Sequence, residues 1–216
     1  MDFTSAREHM VLGQIRTWDV VDDRVLEVMN SLPREAFLPA AWQNAAYADV
    51  SIPIGGGERT FTPRMEGRIL QAVGTKIGDR VLEIGCGSGY LSACLAELGG
   101  SVLALEISGA LLAQAGESLE RTGISGVEFA EADASESLPN ERFDVIVVGG
   151  AVAHSRARFE SALQEGGRLF IVEGRGPTMT AFRIERLAED RWQREALFET
   201  QLPYLQNLGP RPSFEF

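Results

Sequence analysis

The chain has 216 residues, of which 44% are hydrophobic and 24% charged. That length suits one domain with an appendage, and the apolar share excludes a disordered chain. Lys and Arg number 20 against 31 Asp and Glu, a net charge of −11. A surface this acidic repels phosphate backbones and anionic lipid, so neither nucleic acid nor membrane is an expected partner.

No apolar run reaches the ~18 residues of a membrane helix, and the first ten residues lack the basic-then-apolar order of a secretion signal. Cys86 and Cys94 have no framework around them and are expected as reduced thiols in a cytoplasmic protein. The two histidines, His9 and His154, have no second ligand at metal spacing, so no metal site is expected. His154 reads as a surface residue at a helix start, with a place in a pocket wall as the alternative.

In chain order, residues 4–29 read as helix. Met10, Val11, Ile15, Val25, Leu26 and Met29 recur at helical spacing, with a polar break over 19–23. Pro33 and Pro39 bracket a short turn or helix. Residues 52–63 read as a loop, because Gly55, Gly56 and Gly57 do not favour regular structure. Pro63 suits the first turn of a helix over 63–73.

From residue 80 the rhythm changes. RVLEIG is a short apolar strand, followed by a helix to Leu98. Strands over 101–106, 127–132, 143–150 and 167–174 then alternate with helices over 108–122 and 155–165. Strands that are apolar on both faces, with helices between them, predict an α/β fold with a parallel sheet covered on both sides. Residues 180–187 and 192–198 alternate around a Glu189-Asp190 turn and predict a terminal β-hairpin at the sheet edge. Residues 201–216, with Pro203, Pro210 and Pro212, read as an irregular tail. The expected division is a helical cap with a substrate-side loop over 1–75, a ligand-binding domain over 76–200, and the tail.

The segment LEIGCGSGYL, residues 82–91, follows a strand and opens a helix, where doubly wound sheets bind ligands. Gly85, Gly87 and Gly89, with Cys86 and Ser88 between them, allow close backbone approach and positive φ. A dinucleotide fingerprint begun at Gly85 needs Gly or Ala at residue 90, where Tyr90 stands. A phosphate-binding P-loop needs Gly-Lys-Ser/Thr, and no lysine is near. Glu83 precedes the first glycine, and an anion there favours an ammonium or sulfonium over a pyrophosphate.

Two further acids stand at strand ends. Glu106, 17 residues after Gly89, can accept both ribose hydroxyl protons, with Ile107 beside it. Asp133 can accept from an adenine amino group, with the Ala134 N–H nearby. Gly149, near the end of the fourth strand, completes the candidate cofactor-binding set. Singly, Glu106 is equally a solvated strand end, Glu83 a helix-dipole partner and Asp133 a turn residue. Together they suit a cationic, donor-rich ligand. S-adenosyl-L-methionine fits this description, and NAD and ATP do not.

The sequence resembles the protein-L-isoaspartate O-methyltransferase family. DDRVLEVMNSLPREAFLP (22–39) is similar to that family's N-terminal signature, AYADVSIPIGGGE (46–58) to the segment that follows, and PRMEGRILQAV (63–73) to the helix before the first strand. RVLEIGCGSGYLSACLAEL (80–98), FDVIVVGGA (143–151) and LQEGGRLFIVEG (163–174) match in order, so the resemblance covers about residues 5–175. The final stretch, ETQLPYLQNLGPRPSFEF, departs from the family's usual end.

The resemblance implies a Rossmann-like class I methyltransferase fold. Its sheet is mostly parallel and seven-stranded, with a terminal β-hairpin and an N-terminal helical extension. It further implies S-adenosyl-L-methionine as cofactor and methyl transfer to a carboxylate of a damaged protein or peptide, a protein-repair reaction. A carboxylate is already anionic at pH 7 and needs no general base.

One departure concerns the acceptor. The family has Thr-Ile-Ser and one more residue before the proline that closes its glycine-rich loop, and the serine is implicated in placing the substrate carboxylate. Here the chain reads Glu58-Arg59-Thr60-Phe61-Thr62-Pro63. Aligned on Pro63, the serine position is Phe61, and a one-residue shift puts Thr62 there. Thr60 and Thr62 are therefore the candidate catalytic residues. Phe61 and the unusual end favour a different acceptor, a small molecule or another peptide, as the second reading. A non-catalytic cofactor-binding protein is the third. Tyr90 opposes a NAD-linked oxidoreductase, and the net charge opposes an RNA methyltransferase.

Overall fold

The computed structural model describes residues 2–153 and 156–210. Asp2 starts helix α1 (Phe3–Met10) by accepting the Thr4 and Ser5 N–H groups. The helix runs on as a π turn (Val11–Ile15) and a 3-10 turn (Arg16–Trp18), and stops where Asp19 takes φ +59°. Asp22 then caps α2 (Asp23–Ser31), which buries Val25, Leu26 and Met29. The single periodic stretch over 4–29 is thus two helices parted at its polar break. Two 3-10 turns, Arg34–Phe37 and Ala40–Ala45, follow.

The loop reading of residues 52–63 is corrected. They hold a small antiparallel hairpin, β1 (Pro53–Gly55) and β2 (Glu58–Arg59). Gly55, Gly56 and Gly57 all take positive φ and form the turn that closes it. Helix α3 (Pro63–Val73) begins at once. Thr62 is its N-cap and accepts the Met65 N–H.

The main sheet comprises β3 (Arg80–Ile84), β4 (Ser101–Glu106), β5 (Val127–Glu131), β6 (Phe143–Val152), β7 (Leu163–Arg175), β8 (Thr178–Ala188) and β9 (Arg191–Thr200). Its order is β5-β4-β3-β6-β7-β8-β9. The first five strands pair in parallel, and β8 and β9 run antiparallel as an edge hairpin. Helices α4 (Tyr90–Glu97), α5 (Gly109–Thr122) and α6 (Arg156–Ser161) lie between the parallel strands. The expected seven-stranded, mostly parallel sheet with its terminal hairpin is therefore present.

One boundary differs. The helix expected over 155–165 ends at Ser161, and β7 starts at Leu163. Leu163 pairs with Phe143, and the register then shifts before Arg168 pairs with Val145. Gly166, at φ +78°, permits that irregularity.

The sheet separates two apolar clusters. Val81, Val145, Val147 and Phe170 face the N-terminal helices, α3 and α4 on one side. Leu82, Ile84, Ile146, Val148, Leu169 and Ile171 face Phe159 on the other, following the two-residue period of a strand. The first cluster runs from Met10 to Ala181, so the N-terminal helices share a core with the sheet. Chain order reverses between β3 and β6, and a crevice opens at their C-terminal ends, the ligand position of doubly wound sheets. No helix among the described residues is long and apolar enough to cross a membrane.

Candidate active site

At this crevice lies a cavity of about 440 Å³, within the ~300–1,000 Å³ of small-molecule sites. One wall is backbone. Gly85 and Gly87 turn at φ +77° and +52° and present no side chain. A Cβ on Gly149 would fall 2.6 Å from the Ile84 carbonyl oxygen and strike that of Gly85, so β6 can approach the loop this closely only as glycine.

Glu106 ends β4 and is 6% exposed. Its Oε2 accepts the Gly87 N–H and its Oε1 accepts the Ser108 N–H, both at 3.0 Å. The carboxylate is thus locked to the glycine loop, with its other lone pairs left for a ligand. Asp133 follows β5. Its Oδ1 accepts the Ser135 N–H at 2.7 Å and its Oδ2 accepts from Asn207 Nδ2 at 2.6 Å. The Ser135 hydrogen bonding, joined by Asn207 and the Arg158 charge, holds this carboxyl below the usual range against the opposing effect of burial. Ile107, Ala134 and Gly149 line the same cavity.

Glu83 does not line it, which corrects its expected place in the cradle. It is 1% exposed and sits on the opposite face of β3 from Ile84, where Ser92 Oγ of α4 donates to it. Burial pushes its pKa up to about 8. The Ser92 hydrogen bond works the other way, and the charges of Glu106 and Glu66 add to the rise. Cys86, Ser88 and Gly89 also stand outside the cavity wall. Cys86 is buried, and burial, with the Glu83 and Glu106 charges, raises its thiol pKa. Gly89 begins α4. His154 lies outside the described residues.

The opposite wall comes from β1, β2 and α3 and includes Thr60, Phe61 and Thr62. A buried arginine positions it. Arg34, 1% exposed, donates through Nε and Nη2 to both oxygens of Glu66, at 2.9 and 3.0 Å. It also donates to the carbonyls of Ala46 at 2.8 Å and Phe61 at 2.9 Å, and to Thr60 Oγ1 at 3.3 Å. Thr60 Oγ1 further accepts the Ile52 N–H at 3.1 Å, and Thr62 Oγ1 accepts the Met65 N–H at 3.4 Å. Both hydroxyl oxygens are held as acceptors, and each keeps its own proton to donate.

Sequence reasoning missed two parts of the cavity. Trp18, Arg59, Arg64 and Arg68 contribute to its wall. So do residues 202–206 and Leu208, part of the stretch read as irregular tail. The Ala151 N–H donates to the Pro203 carbonyl at 2.8 Å, the Leu205 N–H to Ala151 at 3.0 Å, and the Ala153 N–H to Leu208 at 2.9 Å. Tyr204 Oη donates to Gly174 and accepts the Gly176 N–H, both at 3.1 Å. This strap crosses the tip of β6, and Leu208 enters the core at 2% exposure. The apolar residues Leu202, Leu205 and Leu208, three apart, were the available signal.

A family model for protein-L-isoaspartate(D-aspartate) O-methyltransferase matches residues 5–202. Protein-L-isoaspartate O-methyltransferase 1 of Rhodopseudomonas palustris is 39% identical over 186 residues, covering 86% of this chain and 75% of that protein. The Koribacter versatilis protein-L-isoaspartate O-methyltransferase is 35% identical over 213 residues, covering 98% and 96%. A solved protein-L-isoaspartate O-methyltransferase superposes with a TM-score of 0.82 at 26% identity, over 94% of this chain and 67% of that one. A Plasmodium falciparum structure in complex with S-adenosyl-L-homocysteine has the same fold, with a TM-score of 0.79 at 20% identity over 93% and 98%.

Glu83 makes stability depend on pH. Unfolded, it ionises near its ordinary 4.5, whereas folded it keeps its proton to about 8. The folded state binds more protons in that window, so stability falls as pH rises through it. Glu83→Gln is expected to flatten this slope in urea unfolding between about pH 5 and 8, and to be the more stable form above about pH 8. An unchanged slope would refute the assignment.

Proposed function

We infer the reaction from one premise: the chain belongs to the protein-L-isoaspartate(D-aspartate) O-methyltransferase family. It is an S-adenosyl-L-methionine-dependent enzyme that methylates a carboxylate of isoaspartyl residues in damaged proteins or peptides. The observation that carries this reading is Glu106, a strand-end carboxylate locked by two backbone N–H groups against a bare glycine wall.

The residues fit that cofactor. Glu106 would hold the ribose hydroxyls, Asp133 and the Ala134 N–H the adenine edge, and Gly85, Gly87 and Gly149 the space alongside. No lysine lines the cavity, as a triphosphate site would require. When bound, S-adenosyl-L-methionine supplies a methyl group on a sulfonium, which leaves without protonation. The protein's task is then placement, since holding two reactants in line is worth several kcal/mol.

Thr60 and Thr62 serve the acceptor side. Each turns its free O–H proton to the acceptor carboxylate, and the acceptor needs no base. Phe61 stands between them, half-buried, with its carbonyl fixed by Arg34. The free, buried thiols of Cys86 and Cys94 agree with a reducing, cytoplasmic setting.

Three measurements test this. Glu106→Ala is expected to weaken S-adenosyl-L-homocysteine binding by ~1–3 kcal/mol in calorimetry, because a charged acceptor is lost; unchanged affinity would remove Glu106 from the site. The purified chain is expected to form a base-labile methyl ester on an isoaspartyl peptide and none on its aspartyl counterpart. Phe61→Ser, which adds a hydroxyl and removes bulk, is expected to raise kcat/KM on that peptide about tenfold, the scale of one positioned hydrogen bond. Methylation of small carboxylic acids without peptide turnover would establish the other acceptor class.

A further inference from the structure

The cavity has walls of opposite charge. Glu106 and Asp133 stand on the strand-tip wall, while β2 and α3 contribute three arginines, Arg59, Arg64 and Arg68. In a chain with 31 acids and 20 Lys and Arg, cations are expected to find acidic partners.

Two of the three are committed. Arg64 pairs with Asp49, and its guanidinium lies 3.8 Å from the Trp18 ring centroid. Arg68 donates to the Trp18 carbonyl at 3.1 Å, stands 3.7 Å from the Asp19 carboxylate and lies over the Phe198 ring. Arg59 differs. Among the described residues it donates to Ser51 alone, from Nε to Oγ at 3.3 Å and from Nη2 to the carbonyl. Among the described residues no carboxylate lies within ion-pair distance of it. Glu58, beside it on the wall, accepts instead from Gln206 at 3.4 Å.

A guanidinium has five N–H donors in a planar fork that matches a carboxylate. Ser51 engages one face of that fork and fixes its direction, and Nη1 meets no acceptor among the described residues. The threonine hydroxyls on the same wall can each donate one proton but carry no charge. Of the three arginines lining this cavity, Arg59 is therefore the one whose charge no carboxylate among the described residues already shares.

We propose that Arg59 is a specificity-determining residue that binds a carboxylate of the methyl acceptor. The proposal rests on the reaction inferred above and adds the group that recognises the acceptor. Two sources share this chemistry: the carboxylate that receives the methyl group, and a second carboxylate flanking it.

The test is equilibrium binding to protein saturated with S-adenosyl-L-homocysteine. The probes are an amidated peptide whose one acid is the isoaspartyl carboxylate, the same peptide with an added neighbouring aspartate, and a fully amidated control. Arg59→Gln is expected to weaken the acidic peptides about tenfold, the scale of one charge-assisted contact. It should leave S-adenosyl-L-homocysteine affinity unchanged, which also confirms folding. Arg59→Lys should restore part of the loss, because it keeps the charge without the fork.

Loss on the single-acid peptide identifies the reacting carboxylate, and loss confined to the doubly acidic peptide identifies a flanking one. Equal affinities of Arg59→Gln and the unaltered protein for both acidic peptides would overturn the proposal. Peptide binding through Arg59 without methylation would overturn the inferred reaction and uphold the binding role. Failure of the unaltered protein to bind any acidic peptide better than the control would overturn both.

Discussion

Arg34 places one full charge inside the core and uses it to fasten the cavity wall opposite the glycine loop. Its bonds reach Ala46, Thr60, Phe61 and Glu66, residues that belong to three stretches of chain. Burial alone would lower its pKa. The Glu66 carboxylate outweighs that and raises it. A buried pair of this kind adds little to stability against a well-packed apolar substitute, because desolvation offsets most of the Coulomb gain. What it adds here is geometry. Between Ala46 and Thr62 the regular structure amounts to the short strands Pro53–Gly55 and Glu58–Arg59. Backbone pairing of that extent cannot fix Phe61 and Thr60, whereas a planar fork with several acceptors can. The Tyr90 ring, 5.5 Å from the guanidinium, continues the same packing into α4 beside the glycine loop.

The sheet assigns opposite tasks to two chemically identical side chains. Glu83 and Glu106 both come from the parallel strands, and β3 and β4 pair directly. Glu83 faces α4, is enclosed, and holds its proton into the neutral range. Glu106 ends its strand, where backbone N–H groups are free to bond it. The difference lies in position relative to the strand tip. Inside the sheet, backbone donors are used by the ladder, so a carboxyl finds little to balance its charge. At the tip they are released, and a carboxylate there gains them along with access to a ligand.

Most of the sheet was legible because its strands obey one rule. A parallel strand covered on both faces is apolar throughout, as in VIVV, or nearly so, as in VLEI with its one Glu83, and the edge hairpin alternates because one face meets solvent. The cofactor loop was legible because its glycines follow such a strand. The missed parts share a cause: each depends on a partner distant in sequence. Gly55 to Gly57 read as a breaker and are the turn of a hairpin. Pro203 read as irregularity, yet its carbonyl joins the tip of β6. Nothing local marks Arg34 as buried, since it stands between Pro33 and the charged Glu35 and its partner Glu66 lies 32 residues away. Glu83 was separable in principle, because the two-residue period puts it on the face of Val81 and opposite Ile84.

The strap over β6 and the arginines of β2 and α3 show how an acidic chain can keep positive charge in its cavity. At long range a net charge of −11 repels a carboxylate. That field is screened over ~8 Å at physiological ionic strength, and steering is therefore weak either way. Inside the cavity the relevant charges are those within a few ångströms, where screening is incomplete. Arg64 and Arg68 are tied to Asp49 and Asp19, and Asp133 is held by Ser135 and Asn207 of the strap. The two ion pairs each draw one cation toward a carboxylate of the protein, while the neutral donors on Asp133 orient its carboxylate and leave its charge in place. A carboxylate inside the cavity would then meet Arg59, which has no carboxylate partner among the described residues, and would feel the distant surface charge only weakly.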